Sequence, residues 1–122
     1  MIDGFFVENI PWVMVNIGWK KQLQKPLVIL DTGFSGDLQI TPKIARELGL
    51  RATEAVKVKI ANGQIVSVPV VEAISSMEGD KQEVKVLIAD SSPLVGIGFL
   101  SKFSYKAMVD CKNKTMALKR VN

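Results

Sequence analysis

The chain has 122 residues, enough for one domain with a single core, and its 48% hydrophobic content excludes an intrinsically disordered chain. It contains no histidine and one cysteine, which excludes Ser-His-Asp and Cys-His catalysis and leaves too few ligands for an ordinary zinc site. The formal net charge is +4, but the lysines are scattered, as on a solvated face. We therefore expect one domain spanning residues 1–122, with no metal, no cofactor and no nucleic-acid partner.

The start of the chain and its lone cysteine bear on the cellular compartment. Residues 1–4 lack the basic and apolar regions of a signal peptide, and no apolar run approaches the roughly 20 residues of a membrane span. Cys111 cannot form a disulfide within the chain, which fits a reducing compartment. We expect a soluble, cytoplasmic protein without a membrane partner, in which Cys111 is half-buried in a C-terminal hairpin.

The N-terminal part of the chain predicts strands. Apolar segments at 5–8 and 12–17 are separated by a proline, and a polar stretch connects the second segment to the apolar strand before Asp31. This pattern predicts a hairpin with a loop longer than two residues. Trp12 and Trp19 are expected to pack in the core or at a subunit interface rather than to bind a ligand.

The next strand ends in a single carboxylate followed by small residues. Residues 26–30 form a β-favouring run after a proline, and Gly33 and Gly36 supply the backbone freedom that a tight loop needs. A carboxylate at such a junction is costly to bury unless it has a function. Asp31 is therefore the candidate catalytic residue.

A helix and a hairpin follow. Pro42, preceded by a threonine suited to the N-cap, begins a helix of about two turns that Gly49 can terminate in the left-handed conformation. Apolar and polar residues then alternate over 54–60, and the Asn-Gly pair at 62–63 is a strong hairpin signal.

The C-terminal half predicts further strands and one more short helix. Asp90 also ends an apolar run, but no glycine follows it and Ser-Ser-Pro is ordinary turn chemistry, which disfavours a catalytic role. Asp110 is expected to open the last turn as a structural residue. The predicted elements are a strand at 65–74, a turn at 75–82, a strand at 84–88, a strand, glycine turn and short helix at 94–103, and a hairpin at 106–119.

Taken in order, these motifs resemble the retropepsin-like aspartic proteases. In that family Asp-Thr-Gly follows a hydrophobic strand, as at 31–33, and the active enzyme is a homodimer. Ile-Thr-Pro at 40–42 with its short helix, the central hairpin at 62–63 and the second glycine turn and closing helix at 94–100 complete the set. The resemblance covers roughly residues 25 to 110. It is to a free-standing, single-domain member of the kind found in prokaryotes.

The resemblance implies a mainly β, single-domain acid-protease β-barrel with one or two short helices, a flap hairpin and a homodimeric assembly. The implied function is that of an aspartic endopeptidase that hydrolyses extended polypeptide substrates. Two Asp31 side chains, one from each subunit, would share a proton and activate water, because a single carboxylate cannot act as acid and base in the same step. A C2 dimer would place this pair on its axis.

The resemblance also assigns roles to other residues. Thr32 would hydrogen-bond across the dimer axis, and Gly33 would let the substrate backbone approach. The substrate-binding flap would carry Ala61, Asn62 and Gly63 at its tip, and the second glycine turn would consist of Val95, Gly96 and Ile97.

The sequence departs from the retroviral pattern at three residues. Phe34 stands where a small residue usually follows the triplet, and could narrow the site or shift the loop. Ser35 and Ile97 stand where retroviral enzymes carry an Asp and an Arg that pair beneath the active site, so we expect that support to be absent. The chain also continues past the closing helix into a hairpin, so dimer contacts are expected to differ.

Two alternatives remain at this point. The same fold can serve as a peptide-binding dimer with weak or no catalysis, if Phe34 or a shifted interface spoils the carboxylate pair. A small basic β-barrel for nucleic acid is disfavoured, because the chain has one tyrosine and no clustered basic and aromatic surface.

Overall fold

The structure is a computed structural model that describes all residues from Met1 to Asn122. The chain is mainly β, as predicted, with a curled half-barrel sheet and two short helices, α1 (Pro42–Leu48) and α2 (Ile97–Lys102). Neither helix is long and apolar enough to cross a membrane. The strands are β1 (Ile2–Asp3), β2 (Phe5–Val7), β3 (Ile10–Met14), β4 (Ile17–Trp19), β5 (Gln22–Gln24), β6 (Leu27–Leu30), β7 (Leu38–Ile40), β8 (Glu54–Lys59), β9 (Ile65–Met77), β10 (Asp80–Ile88), β11 (Leu94–Val95), β12 (Tyr105–Asp110) and β13 (Thr115–Arg120).

The strands form two sheets. The larger has the order β2-β3-β6-β11-β7-β10-β9-β4-β5, with β8 paired to β9, and the smaller has the order β1-β13-β12. Most neighbours are antiparallel, but β6 runs parallel to β11 and β7 runs parallel to β10. The parallel pair β6 and β11 positions the candidate site, because a loop containing glycine follows each of these strands.

One face of the larger sheet packs with α2 in the core. Successive residues of a strand point to opposite faces, so Val28 and Leu30 of β6 are buried while Leu27 is exposed. Phe99 of α2 and the following Phe103 are fully buried, with ring centroids 4.7 Å apart. All of these buried side chains belong to one contiguous cluster of 22 residues. Strand β6 is therefore anchored in the core on one face only.

The predicted helix α1 is confirmed together with its caps. The Thr41 side-chain oxygen accepts a hydrogen bond from Ile44 N at 3.3 Å, and Pro42 lies in the first turn. Gly49 ends the helix with φ of 74°, in the left-handed region. Leu48 is buried against the core, so local capping and burial agree on the position of this helix.

Two predicted hairpins, β8–β9 and β12–β13, are also confirmed. The β8–β9 hairpin reverses direction at residues 60–64, and we call this segment the flap turn. There Gly63 has φ of 87° and the Asn62 side chain accepts a hydrogen bond from Gln64 N at 2.9 Å. In the second hairpin Asp110 accepts two backbone N–H bonds within the turn, at 3.1 and 3.0 Å, which gives it the structural role expected.

The turn predicted at 75–82 is wrong. Strands β9 and β10 extend across this segment, and only residues 78–79 form the turn, with left-handed φ of 50° and 84°. The polar residues misled the prediction because Ser75 is fully buried, where its hydroxyl donates to Asn16 O at 2.6 Å. A satisfied hydroxyl is compatible with the interior of a sheet.

The single strand predicted at 12–17 is also wrong in detail. It is divided into β3 and β4, and the two lysines at 20–21 turn β4 into β5 rather than leading directly to β6. Strand β3 nevertheless pairs with β6, with Trp12 opposite Ile29. The predicted hairpin therefore exists, with the short hairpin β4–β5 inserted into its connection.

The sequence analysis predicted the environments of three side chains, those of Trp12, Trp19 and Cys111. Trp19 packs against the core cluster, as predicted, whereas Trp12 lies outside that cluster on the opposite face of β3. Cys111 is exposed, so its prediction as a half-buried thiol is wrong. It lies in the turn between β12 and β13.

Candidate active site

Asp31 lies where two parallel strands end side by side. Leu94 of β11 is in register with Ile29 of β6, and Asp31 N donates a hydrogen bond to Val95 O at 3.0 Å. The Asp31 side chain is half-buried, and its Oδ1 accepts a hydrogen bond from Gly33 N at 2.9 Å. The apolar strand thus holds the backbone in the core while the small residues after it let the chain turn around the carboxylate.

We call residues 31–37 the Asp31 loop and residues 95–98 the glycine turn. The two segments are joined by three further backbone hydrogen bonds. The N–H groups of the turn donate to carbonyl oxygens of the loop: Gly96 to Asp37 at 3.0 Å, Ile97 to Phe34 at 2.9 Å and Gly98 to Gly36 at 3.0 Å. The Asp31 loop is therefore clamped along its whole length by a segment about 60 residues away in sequence.

This close approach requires glycine in the turn. A Cβ atom on Gly96 would lie 2.3 Å from Gly36 O and 2.5 Å from Phe34 O, and a Cβ atom on Gly98 would lie 2.4 Å from Asp37 Oδ1. Carbon atoms do not approach oxygen so closely without displacement of the backbone. The glycines therefore set the distance between the loop and the turn.

The phenylalanine that departs from the retroviral pattern fills this region. Phe34 is half-buried, and its ring lies over Gly36 and Gly96, whose missing side chains leave room for it. Added Cβ atoms at these glycines would lie 2.6 and 2.7 Å from the ring. The ring therefore packs between the loop and the turn, where it adds apolar contact to the clamp.

An ion pair that the sequence did not reveal closes the Asp31 loop. Asp37 is 6% exposed, and its Oδ2 accepts hydrogen bonds from Lys102 Nζ at 2.6 Å and Lys85 N at 2.9 Å. As expected, Ser35 and Ile97 form no ion pair, but Asp37 and Lys102 form one at the end of the loop. Their sequence separation of 65 gave no signal.

The structure brings together one group of predicted site residues. Thr32 and Gly33 are exposed beside Asp31, and across the clamp Val95 is buried while Ile97 is 45% exposed. Thr32 makes no side-chain hydrogen bond within the chain, so its side chain is available to contacts from outside.

The flap residues Ala61, Asn62 and Gly63 lie apart from this group. All three are exposed, and the hydrogen bonds of the flap turn are local, from Ile60 N to Gln64 O and from Gly63 N to Ile60 O, both at 2.9 Å. No hydrogen bond joins the flap turn to the Asp31 loop within one chain.

An apolar surface borders the Asp31 loop on the outer face of the larger sheet. Ile29 pairs with Trp12 on one side and Leu94 on the other, and all three are half-buried. On the same face, Met14 and Leu27 are 49% and 40% exposed. The site thus combines one carboxylate with a neighbouring apolar surface.

Two other features lie outside this site. Asp90 is exposed and its side chain makes no hydrogen bond within the chain. A surface cavity of about 860 Å³ is lined in part by Trp19, Arg51 and Glu72 and includes no residue of the Asp31 loop. This cavity is therefore separate from the candidate active site.

The perturbed titratable groups also lie elsewhere. The N-terminal ammonium and the Tyr105 hydroxyl donate to the Glu78 carboxylate at 2.8 and 2.7 Å, and these bonds lower the pKa of Glu78. Burial and the bond to Glu78 raise the pKa of Tyr105. Hydrogen bonds from Gln82 and Arg120 likewise lower the pKa of Asp80. This network joins the β9–β10 turn to the smaller sheet and has a structural role.

The sequence matches no family model and no curated protein. Solved structures do resemble it. EIAV protease complexed with the inhibitor HBY-793 superimposes with a TM-score of 0.68 and 19% identity, over 86% of this chain and 98% of the protease. A retropepsin-like aspartic protease from Rickettsia conorii superimposes with a TM-score of 0.64 and 18% identity, over 98% of this chain and 89% of that one.

These likenesses extend over most of the chain. At these identities they bear on the fold and not on the activity. The chain has the fold of the retropepsin-like aspartic proteases.

Proposed function

We propose that this protein is an aspartic endopeptidase, built from one domain over residues 1–122 and active as a homodimer. The observation that carries the proposal is the position of Asp31, at the end of β6 in a loop clamped to a glycine turn, within a retropepsin-like fold. Each chain contains one such loop. A second copy is therefore needed to supply the second carboxylate.

In the proposed dimer the two Asp31 side chains lie close to the symmetry axis and share one proton. The ionised carboxylate removes a proton from water as the water oxygen attacks the peptide carbonyl carbon. The protonated carboxyl gives its proton to the carbonyl oxygen, which yields a neutral tetrahedral intermediate. The C–N bond of this intermediate breaks as the first carboxyl gives its newly gained proton to the nitrogen and the other carboxylate takes a hydroxyl proton, so that the acid and amine products leave. Like charges at close range keep the two groups from ionising together, so the pair holds one proton over a moderately acidic range.

The proposed substrate is an extended polypeptide lying between the Asp31 loops and the flap turns. The exposed backbone at Gly33 and at the flap residues Ala61, Asn62 and Gly63 can pair with the substrate main chain, as in strand addition. The apolar surface around Ile29 favours apolar substrate side chains. The unpaired cysteine fits a cytoplasmic site of action.

The proposal is tested by assaying wild type and Asp31→Asn with a diverse peptide library between about pH 4 and 7, where a shared-proton pair is active. Asp90→Asn is the matched control, since it removes a carboxylate that also follows an apolar strand. Light scattering on all samples reports the oligomeric state. We expect cleavage by a dimeric wild type and by Asp90→Asn, and none by an equally dimeric Asp31→Asn.

Turnover by Asp31→Asn within about tenfold of wild type would remove Asp31 from the mechanism, because a pair with one proton carrier missing cannot operate. A folded wild-type dimer that binds but does not cleave peptides would favour the peptide-binding alternative.

A further inference from the structure

The Asp31 loop ends at an ion pair with a buried carboxylate, Asp37, which the proposed chemistry does not use. The Asp37 side chain is 8% exposed and that of Lys102 is 39% exposed, with Lys102 Nζ 2.6 Å from Asp37 Oδ2. The same Nζ donates to Glu83 O at 3.1 Å. A carboxylate this deeply buried is stable only with its partners in place, so the pair constrains the backbone around it.

Asp37 connects three segments that are distant in sequence. Its Oδ2 joins Lys85 N in β10 and Lys102 in α2, and its carbonyl oxygen accepts a bond from Gly96 N at 3.0 Å. Its Oδ1 lies where any side chain at Gly98 would have to fit. Asp37 therefore fixes both the start of α2, through the glycine turn, and its last residue, through the ion pair.

The glycine turn transmits this constraint to the backbone of Asp31. Ile97 N holds Phe34 O at 2.9 Å, and Phe34 N in turn donates to Asp31 O at 3.1 Å. Asp31 N is held by Val95 O at 3.0 Å. Both backbone polar groups of Asp31 are thus tied, directly or through one residue, to the segment that Asp37 positions.

We propose that Asp37 and Lys102 are positioning residues for Asp31, and that within each subunit they fix the Asp31 loop against α2. The inference rests on the proposed function. Its physical basis is that the two carboxylates of a dimer need close and reproducible placement, and each subunit must present its own in the same geometry. The ion pair supports the loop in place of Ser35 and Ile97, which carry no charge and cannot form an ion pair.

The test compares Asp37→Asn, Lys102→Met and the conservative Lys102→Arg with Asp110→Asn. The last variant is the matched control, because Asp110 also accepts backbone N–H bonds but lies in the turn of the last hairpin. We expect kcat to fall about tenfold to a hundredfold in the first two variants with KM nearly unchanged. Lys102→Arg should retain most of kcat, and Asp110→Asn should match wild type.

Amide hydrogen exchange provides a readout that does not need catalysis. Exchange at Ile97 and Gly98, whose N–H groups hold the loop, should accelerate in Asp37→Asn and Lys102→Met and stay unchanged in Asp110→Asn. Urea titrations identify any variant that is unfolded under assay conditions. If Asp37→Asn does not fold, the comparison of Lys102→Met with Lys102→Arg tests whether the ion pair positions Asp31.

Failure of the proposed function and failure of the positioning role give different results. If wild type cleaves no peptide, the proposed function fails while exchange still decides whether the pair fixes the loop. If wild type cleaves peptides and Lys102→Met has the same kcat, or if Lys102→Arg is as impaired as Lys102→Met, the positioning role is overturned. Unchanged exchange at Ile97 and Gly98 in the folded variants overturns it as well.

Discussion

The Asp31 loop and the flap turn, the two segments proposed to contact substrate, are held in opposite ways. The loop is bound by hydrogen bonds to the glycine turn about 60 residues away and by the ion pair of buried Asp37 with Lys102. The flap turn is exposed and has only local bonds, such as that between Asn62 and Gln64. Tertiary contacts thus fix the proposed catalytic group, while the proposed flap, held only by local bonds, can open at low cost.

The largest effect is expected from Gly96→Ala, which breaks the clamp. The added methyl would overlap Gly36 O and Phe34 O, which are backbone atoms and cannot turn aside. We expect the free energy of unfolding to fall by about 3 kcal/mol, since the loop and turn must separate. Peptidase activity should fall with it, by about a hundredfold or more in the protein that remains folded.

Urea titration and peptide cleavage check this prediction, with Gly18→Ala as the matched control. The nearest atom to a Cβ at Gly18 is 3.6 Å away, an ordinary contact, so this variant should stay within about 1 kcal/mol of wild type. Equal unfolding midpoints for the two variants would contradict a steric requirement at Gly96.

A smaller and different effect is expected from Gly63→Ala in the flap turn. No atom lies within 4 Å of the added methyl, but φ of 87° is unfavourable for alanine, so the turn must readjust. We expect a loss of about 1 kcal/mol or less in unfolding free energy, because the change is confined to an exposed turn. The kinetic effect should be mainly a higher KM for peptides. A fall in kcat as large as that of Gly96→Ala would show that the flap is as constrained as the loop.

The smallest effect concerns acid stability, which must be separated from the behaviour of the loop in any pH profile. The bonds from the N-terminal ammonium and Tyr105 lower the pKa of Glu78 in the folded state below its unfolded value. The folded state is therefore stabilised above the unfolded pKa, and this contribution is lost as pH falls through the folded pKa.

Accordingly, the urea midpoint of wild type should decrease from about pH 5 downward, and Glu78→Gln should show a shallower decrease. Glu47→Gln, at an exposed helix carboxylate without a hydrogen-bond partner, is the control and should follow wild type. Identical pH profiles for wild type and Glu78→Gln would exclude this network as a source of acid sensitivity.

Local signals predicted much of the fold. The caps of α1 at Thr41 and Gly49, and the Asn-Gly pair of the flap turn, depend on residues within one or two turns of each other. Asp31 was chosen as the candidate for the same reason, because an apolar strand and small residues flank it in sequence. The errors arose where tertiary contacts overrode composition. Buried Ser75 extends a strand through a polar segment, and an inserted hairpin divides the apolar run at 12–17.

The sequence by itself determined that the protein is mainly β, that Asp31 is the candidate catalytic group and that the chain contains two further hairpins and a capped helix, since backbone preferences and strand alternation are local. Only the tertiary structure decided that β6 and β11 run parallel and that Asp37 pairs with Lys102. Pairing over such distances depends on how whole strands and helices bury their apolar faces, and no single residue pattern records it.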